Sequence, residues 1–274
     1  MYACGLNPAD WALCHGLFAG SLPRGIGLDV SGTVDAVGEG VTDVRVGDQV
    51  LGVPDFQSYP NAGAADFAVL GVWTRVPQGL DLLEAAALPM AIETAYRSLD
   101  VLGVAAGQTV LVYGAGTMIG FAAVQMARLR GAQVIAAAGQ TFADDLGKMG
   151  AEVTPYGDGM VDRVRAIAGG APDLIFDAGP ISDVLPDLVR IAGGDAHRIV
   201  IVSNHGPAAT ALGVRDSFGK QRYDVLAEFA NLAAQSRFKV PVARTFNLEN
   251  WREAVDVSLS GHAQGKLLLL PNGC

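Results

Sequence analysis

Residues 109–139, TVLVYGAGTMIGFAAVQMARLRGAQVIAAAG, constrain this chain more than any other stretch. They read as strand, glycine turn, helix, strand. Val110, Leu111, Val112 and Tyr113 form a short apolar run with β-branched content, the pattern of a buried parallel strand. Gly114 and Gly116 break it. From Ile119 the apolar positions recur at helical spacing (Ile119, Ala122, Ala123, Met126, Leu129), and Gly131 stops the helix. Val134, Ile135 and Ala136 then resume a strand. This order leaves free backbone N–H groups at a helix N-terminus, whose partial positive charge suits a pyrophosphate. The dinucleotide fingerprint is G-x-G-x-x-G. Gly114, Gly116 and Gly120 give G-x-G-x-x-x-G, one residue longer, so a purely structural turn stands as the alternative.

The context favours a nucleotide fold. Residues 151–156, 172–179 and 198–204 carry further strand signals, and helical stretches cover 141–149, 158–168 and 181–191. Repeated alternation of strand and helix means a doubly wound parallel sheet, an α/β architecture. Ligands of such sheets sit beyond the carboxyl ends of the strands. Those ends are residues 114–117, 138–141, 177–179 and 203–205. The first 80 residues differ in class. GLDVSGTVDAVGEGV, VGDQVLGV and AGAADFAVL are short β segments cut by glycine, as in a small barrel or sandwich, with a tight turn at Val46-Gly47-Asp48. Residues 81–102 read as helices joining the two halves. Residues 245–270 read as strand, helix, strand, with Leu267 to Leu270 in a final strand placed back on the barrel.

Composition narrows the function classes. The 274 residues are half hydrophobic and include 35 glycines, as in a well-buried α/β protein. The net charge of −9 and the lack of a basic cluster argue against nucleic acid. The apolar runs are too short for a membrane span. No signal peptide is evident, and Cys4, Cys14 and Cys274 show no C-x-x-C pairing, so a reduced, cytoplasmic protein without a disulfide framework is expected.

Five motifs in order, GLNPADW, GLDVSGTVDAVGEGV with VGDQV, EAAALPMAIETAY, TVLVYGAG with IG and AVQMA, and SGHAQGKLLLL, resemble the medium-chain dehydrogenase/reductase superfamily. The branch they are most similar to is the zinc-independent quinone oxidoreductases, the zeta-crystallin-like group. The resemblance spans essentially the whole chain. It implies a GroES-like barrel, residues 1–86 and 242–274, around a Rossmann domain, residues 87–241. It also implies a homodimer acting on a small-molecule substrate. The implied reaction passes hydride from NADPH to a quinone or an α,β-unsaturated carbonyl. An enoyl-thioester reductase of the same superfamily and an NADPH-binding protein without turnover are the alternatives.

The resemblance places Asn7, Met90 and Thr94 at the nicotinamide, with Asn7 as an orienting or polarising group. The strand ends add Gly114, Gly116, Thr117, Met118, Ile119, Ala138, Gly139, Ala178, Gly179, Ser203 and Asn204 as cofactor contacts. Tyr156 falls where related NADPH enzymes place a phosphate-contacting tyrosine. Four departures stand out. Family members carry strands before the G-L-N-P segment, so residues 1–4 are expected to end a strand whose beginning is missing, leaving an open barrel edge. Zinc-dependent relatives have Cys, His and Cys where Asn7, Leu28 and Met90 stand, and none of these three is a good zinc ligand, so no metal is expected. Thr117 and Met118 replace a pair of glycines in the phosphate turn, crowding the pyrophosphate or, through the Thr117 hydroxyl, donating to it. Finally, NAD sites use an acid after the second strand. Ala138-Gly139-Gln140-Thr141 has none, which points to NADPH, although Phe142 stands where the branch often has a lysine. No residue is singled out as proton donor.

Overall fold

A computed structural model of the chain describes residues 1–16 and 24–271. Cys274 lies outside them. In chain order the strands are β1 (Ala3–Leu6), β2 (Asp29–Thr33), β3 (Gln49–Pro54), β4 (Leu70–Arg75), β5 (Thr109–Tyr113), β6 (Gln133–Ala137), β7 (Glu152–Thr154), β8 (Leu174–Asp177), β9 (Ile199–Ile201), β10 (Arg215–Asp216), β11 (Val242–Asn247) and β12 (Lys266–Leu270). They form two six-stranded sheets. The chain divides into two compact units, Met1–Ile92 with Tyr223–Cys274, and Glu93–Arg222.

The first unit holds the sheet β11-β12-β1-β2-β3-β4, antiparallel throughout except for the parallel pair β11–β12. The expected open edge at residues 1–4 is corrected here. β1 lies inside the sheet, with Cys4 paired to Val30 on one side and to Leu269 on the other. The chain's own last strand occupies the position, so the sheet's outer strands are β4 and β11. β12 is apolar at every site after Lys266 because both its faces are covered. Leu267 and Leu269 pack with Cys4, Leu6 and Phe246, while Leu268 and Leu270 pack with Ala3 and Ala86.

Three local features differ from the sequence pattern. A short helix, Pro8–Cys14, follows β1. Proline at its first position and Asp10 in its first turn are start signals, but seven residues are too few to show a periodicity. Residues 34–41 and 62–68 carry no regular strand. The tight turn at Gly47 is as expected, with φ +94° and its N–H bonded to Val34 O. The helix Leu226–Ala234 was not anticipated. It packs on β4, so residues 223–241 group with the first unit.

The second unit is an all-parallel sheet, β10-β9-β8-β5-β6-β7. Leu111, Ile135, Ile175 and Ile199 line one face under Val164, Leu188 and Ile191. Strand order reverses between β5 and β8, the switch point at which open α/β sheets bind ligands. No described helix is long and apolar enough to cross a membrane.

Candidate functional site

In the second unit the predicted residues gather at the carboxyl ends of β5, β6, β7, β8 and β9. The turn after β5 shows why its glycines differ. Gly114 has φ +76°, and a Cβ there would lie 2.4 Å from Gly179 N. A Cβ at Gly120 would lie 2.1 Å from Gly114 O. Both glycines are demanded by the chain's own packing, which brings the β5 turn against the β8 turn and the helix Met118–Leu129 against the strand. Gly116 has neither constraint. Its φ is not positive, and the nearest atom to its missing Cβ is Phe142 Cδ2 at 3.8 Å. A bare backbone that the protein itself does not require is what close approach of a ligand requires.

Thr117 caps the helix Met118–Leu129. Its hydroxyl accepts from Gly120 N at 3.0 Å and lies 2.9 Å from Gly114 O and 3.0 Å from Ala178 O. The Thr117 N–H goes to Gly114 O. The expectation that its hydroxyl donates to a pyrophosphate is therefore corrected: the one O–H is directed inward. The amides of Met118 and Ile119 begin the helix and have no helical acceptor by position.

Around this turn, Gly139 has open space where a Cβ would be, beside buried Ala138. Phe142 stacks edge-on with Phe121 at 5.2 Å. Tyr156 reaches in after β7 and meets the Tyr113 ring edge-on at 5.1 Å. Burial pushes its hydroxyl up to about 12, opposed by a hydrogen bond from the Gly116 backbone. Tyr156 thus sits over the open glycine of the turn. Asp177, fully buried at the end of β8, accepts from Gly179 N at 2.9 Å and faces Asn204 Nδ2 at 3.4 Å, while Asn204 Oδ1 lies 3.3 Å from Ser182 N. Burial raises its carboxyl to about 6. Asp177 ties the Ala178-Gly179 turn to the Ser203-Asn204 turn. Thr94 stands on the helix Pro89–Leu102, 3.3 Å from Glu93 Oε2.

In the first unit, Asn7 and Met90 come together on one carboxylate. Asp29 Oδ1 accepts from Met90 N at 2.7 Å, and Asp29 Oδ2 accepts from Asn7 Nδ2 at 3.0 Å and from Lys266 Nζ at 2.6 Å. Lys266 Nζ also donates to Asn7 Oδ1 at 2.5 Å. Asp10 accepts from the backbone of Asn7 and of Gly27, each at 2.7 Å, and burial raises it to about 6. Asp10 thereby orders the turn that starts the helix Pro8–Cys14. The Asn7 Nδ2 is directed to Asp29 and lies 3.5 Å from Gly5 O. Asp29, Lys266 and the buried Asp177 were not singled out from sequence. The signal was present as a lone charge inside apolar strands, in GLDVSG and GKLLLL.

The family model of the alcohol dehydrogenase GroES-like domain matches residues 1–75. The quinone oxidoreductase of Rattus norvegicus is 31% identical over 230 residues, which span 81% of this chain and 68% of the relative. The chain belongs to the quinone oxidoreductase branch of the medium-chain dehydrogenase/reductase superfamily. The human quinone oxidoreductase is 28% identical across 98% of this chain and 87% of its own length. The solved structure of the quinone oxidoreductase from Coxiella burnetii matches with a TM-score of 0.83 at 26% identity, covering 98% of this chain and 88% of that one. The expected combination of a Rossmann sheet and a GroES-like domain is thereby established. As a superfamily member the chain is an oxidoreductase, and its family's cofactor is a nicotinamide dinucleotide. The second unit fits that cofactor. It has bare backbone at Gly116, first-turn amides at Met118 and Ile119 without a helical acceptor, and a small-residue strand end at Ala138-Gly139.

Proposed function

We propose that the protein is an NADPH-dependent, zinc-independent reductase of quinones or α,β-unsaturated carbonyls. The observation that carries the dinucleotide part is the free face of Gly116 beside a helix N-terminus, a position where the fold itself does not ask for glycine. In this reading the amides of Met118 and Ile119 hold the pyrophosphate, and bare Gly116 lets it approach the backbone. Ala138 and Gly139 make room for the adenosine ribose, and Ala178, Gly179, Ser203 and Asn204 border the nicotinamide half. Asn7, Met90 and Thr94 face the nicotinamide. When bound, the reduced nicotinamide supplies the hydride. The chain's residues bind, orient and exclude water, and solvent water is the proton source.

Preference for NADPH is supported by residues 138–142, which carry no acid to hold free ribose hydroxyls or to repel a 2′-phosphate. Zinc independence is supported by the chemistry at the three relevant positions. Asn7 is an amide engaged with Lys266 and Asp29, Leu28 is a buried aliphatic side chain, and Met90 offers only a thioether. A cytoplasmic homodimer without nucleic-acid or membrane partners completes the proposal.

Titration of NADPH and NADH by nicotinamide fluorescence tests the cofactor assignment. Tighter NADPH binding is expected, weakened in Tyr156→Phe through loss of a hydroxyl contact worth about 1 kcal/mol. Tighter NADH binding would overturn it.

A further inference from the structure

Three neighbouring strands bring a lysine, an aspartate and an asparagine together below the surface. Lys266 opens β12, Asp29 opens β2, and Asn7 follows β1, which runs between them. Lys266 and Asp29 are almost wholly shielded, at 2% and 0% exposure. Gly5 makes the space, for a Cβ there would lie 2.8 Å from Lys266 Cε. A buried ion pair of this kind gives little net stability, because desolvation of both charges offsets their attraction. Its value here lies in what it does to the amide between the two charges.

Asn7 presents its two ends to opposite charges. Oδ1 faces the ammonium at 2.5 Å, and Nδ2 faces the carboxylate at 3.0 Å. Flipping the amide would set N–H against ammonium and C=O against carboxylate, both repulsive. A neutral environment would let an asparagine choose either orientation; this one permits a single orientation. The Asn7 N–H groups are turned into the protein, and Oδ1 keeps a lone pair beyond the one Lys266 uses.

We infer that Lys266 and Asp29 are positioning residues that lock the Asn7 amide, so that Asn7 meets its ligand through Oδ1 as a hydrogen-bond acceptor. Asp29 serves Met90 in the same way, through the main-chain N–H it accepts. The complementary ligand group is therefore a donor, an N–H or O–H, and not a developing oxyanion. This inference rests on the proposal that Asn7 faces the nicotinamide.

The test uses the full chain and two readouts. The first needs no cofactor. Side-chain amide resonances of Asn7 are followed by NMR in the parent protein and in the double variant Asp29→Asn/Lys266→Met, which removes both charges so that neither is left buried alone. Displaced resonances in the parent, moving to ordinary asparagine values in the double variant, are expected; unchanged resonances would overturn the locking. Should that variant not fold, the parent alone decides. A slowly exchanging Lys266 ammonium signal is expected, and a solvent-averaged one would overturn the inference. The second readout is kinetic. Asn7→Ala and the double variant should each lower kcat roughly 10- to 100-fold, the scale of a misplaced active-site group. The triple variant should be no worse than Asn7→Ala alone, because the charges act through Asn7. Additive losses would overturn positioning. An Asn7→Ala enzyme with full kcat, in a protein whose amide resonances do depend on Lys266 and Asp29, would sink the proposed role of Asn7 and leave the locking intact.

Discussion

Gly114 and Gly116 stand two residues apart in one turn, and their substitution should separate stability from binding. Gly114→Ala meets both a left-handed backbone and the Gly179 amide at 2.4 Å. The backbone strain alone costs about 1–3 kcal/mol, so a clear drop in melting temperature is expected. Gly116→Ala has open space and an ordinary φ. Its melting temperature should be unchanged while dinucleotide affinity falls. Thr117→Ala removes the helix cap and should cost about 0.5–2 kcal/mol in a denaturant titration, with Thr117→Ser restoring most of it. Asp10 and Asp177 add a pH dependence. Both carboxyls are raised to about 6 from the ordinary 3.8, chiefly by burial. A raised carboxyl means that the folded protein holds the proton more tightly than the unfolded chain. Their contribution is full below the ordinary value and is lost as pH rises toward about 6. Carboxyl resonances followed between these limits should titrate near the upper one, with unfolding free energy declining over the same window. At this scale the sequence revealed the turn glycines but not which of them faces outward, because that depends on the β8 turn arriving beside Gly114 and not beside Gly116.

Among the elements, β12 carries the most tertiary consequence for its length. It pairs with β1 and β11, and it delivers Lys266 to the Asn7 amide. Leu268→Ala empties a fully buried position between Ala3 and Ala86 and should destabilise the first unit by about 2–5 kcal/mol, read from the denaturant midpoint. The strands β5, β6, β8 and β9 were legible from sequence because buried parallel strands are short apolar runs, and the helix after Gly116 because its apolar spacing is regular. The helices Pro8–Cys14 and Leu226–Ala234 were not. The first is too short to display a period, and the second, LAEFANLAA, marks its outer side with only two polar residues, Glu228 and Asn231, among alanines that suit either face. The return of residues 266–270 to the first sheet was legible, since an apolar strand so far from the parallel sheet needs partners. That it lies against β1, closing the side expected to be open, was not, because strand pairing across the length of the chain leaves no local trace.

At the scale of the whole molecule, two sheets of different construction divide the work proposed for this oxidoreductase. The parallel sheet offers a dinucleotide seat, and the antiparallel sheet carries the Asn7–Asp29–Lys266 group. With an amide, an aliphatic side chain and a thioether at Asn7, Leu28 and Met90, the proposed zinc independence predicts that elemental analysis finds no stoichiometric zinc and that a chelator leaves turnover unchanged. The most direct measurement is the consumption of reduced nicotinamide followed by absorbance, with NADPH or NADH, in the presence and absence of a quinone or an enone. Quinone- or enone-dependent oxidation of NADPH, faster than that of NADH and abolished by weakened cofactor binding in Gly116→Ala, is the expected result. No acceptor-dependent oxidation of either cofactor, or full turnover in Gly116→Ala, would contradict the assignment of the second unit's glycine turn as the seat of a catalytic dinucleotide.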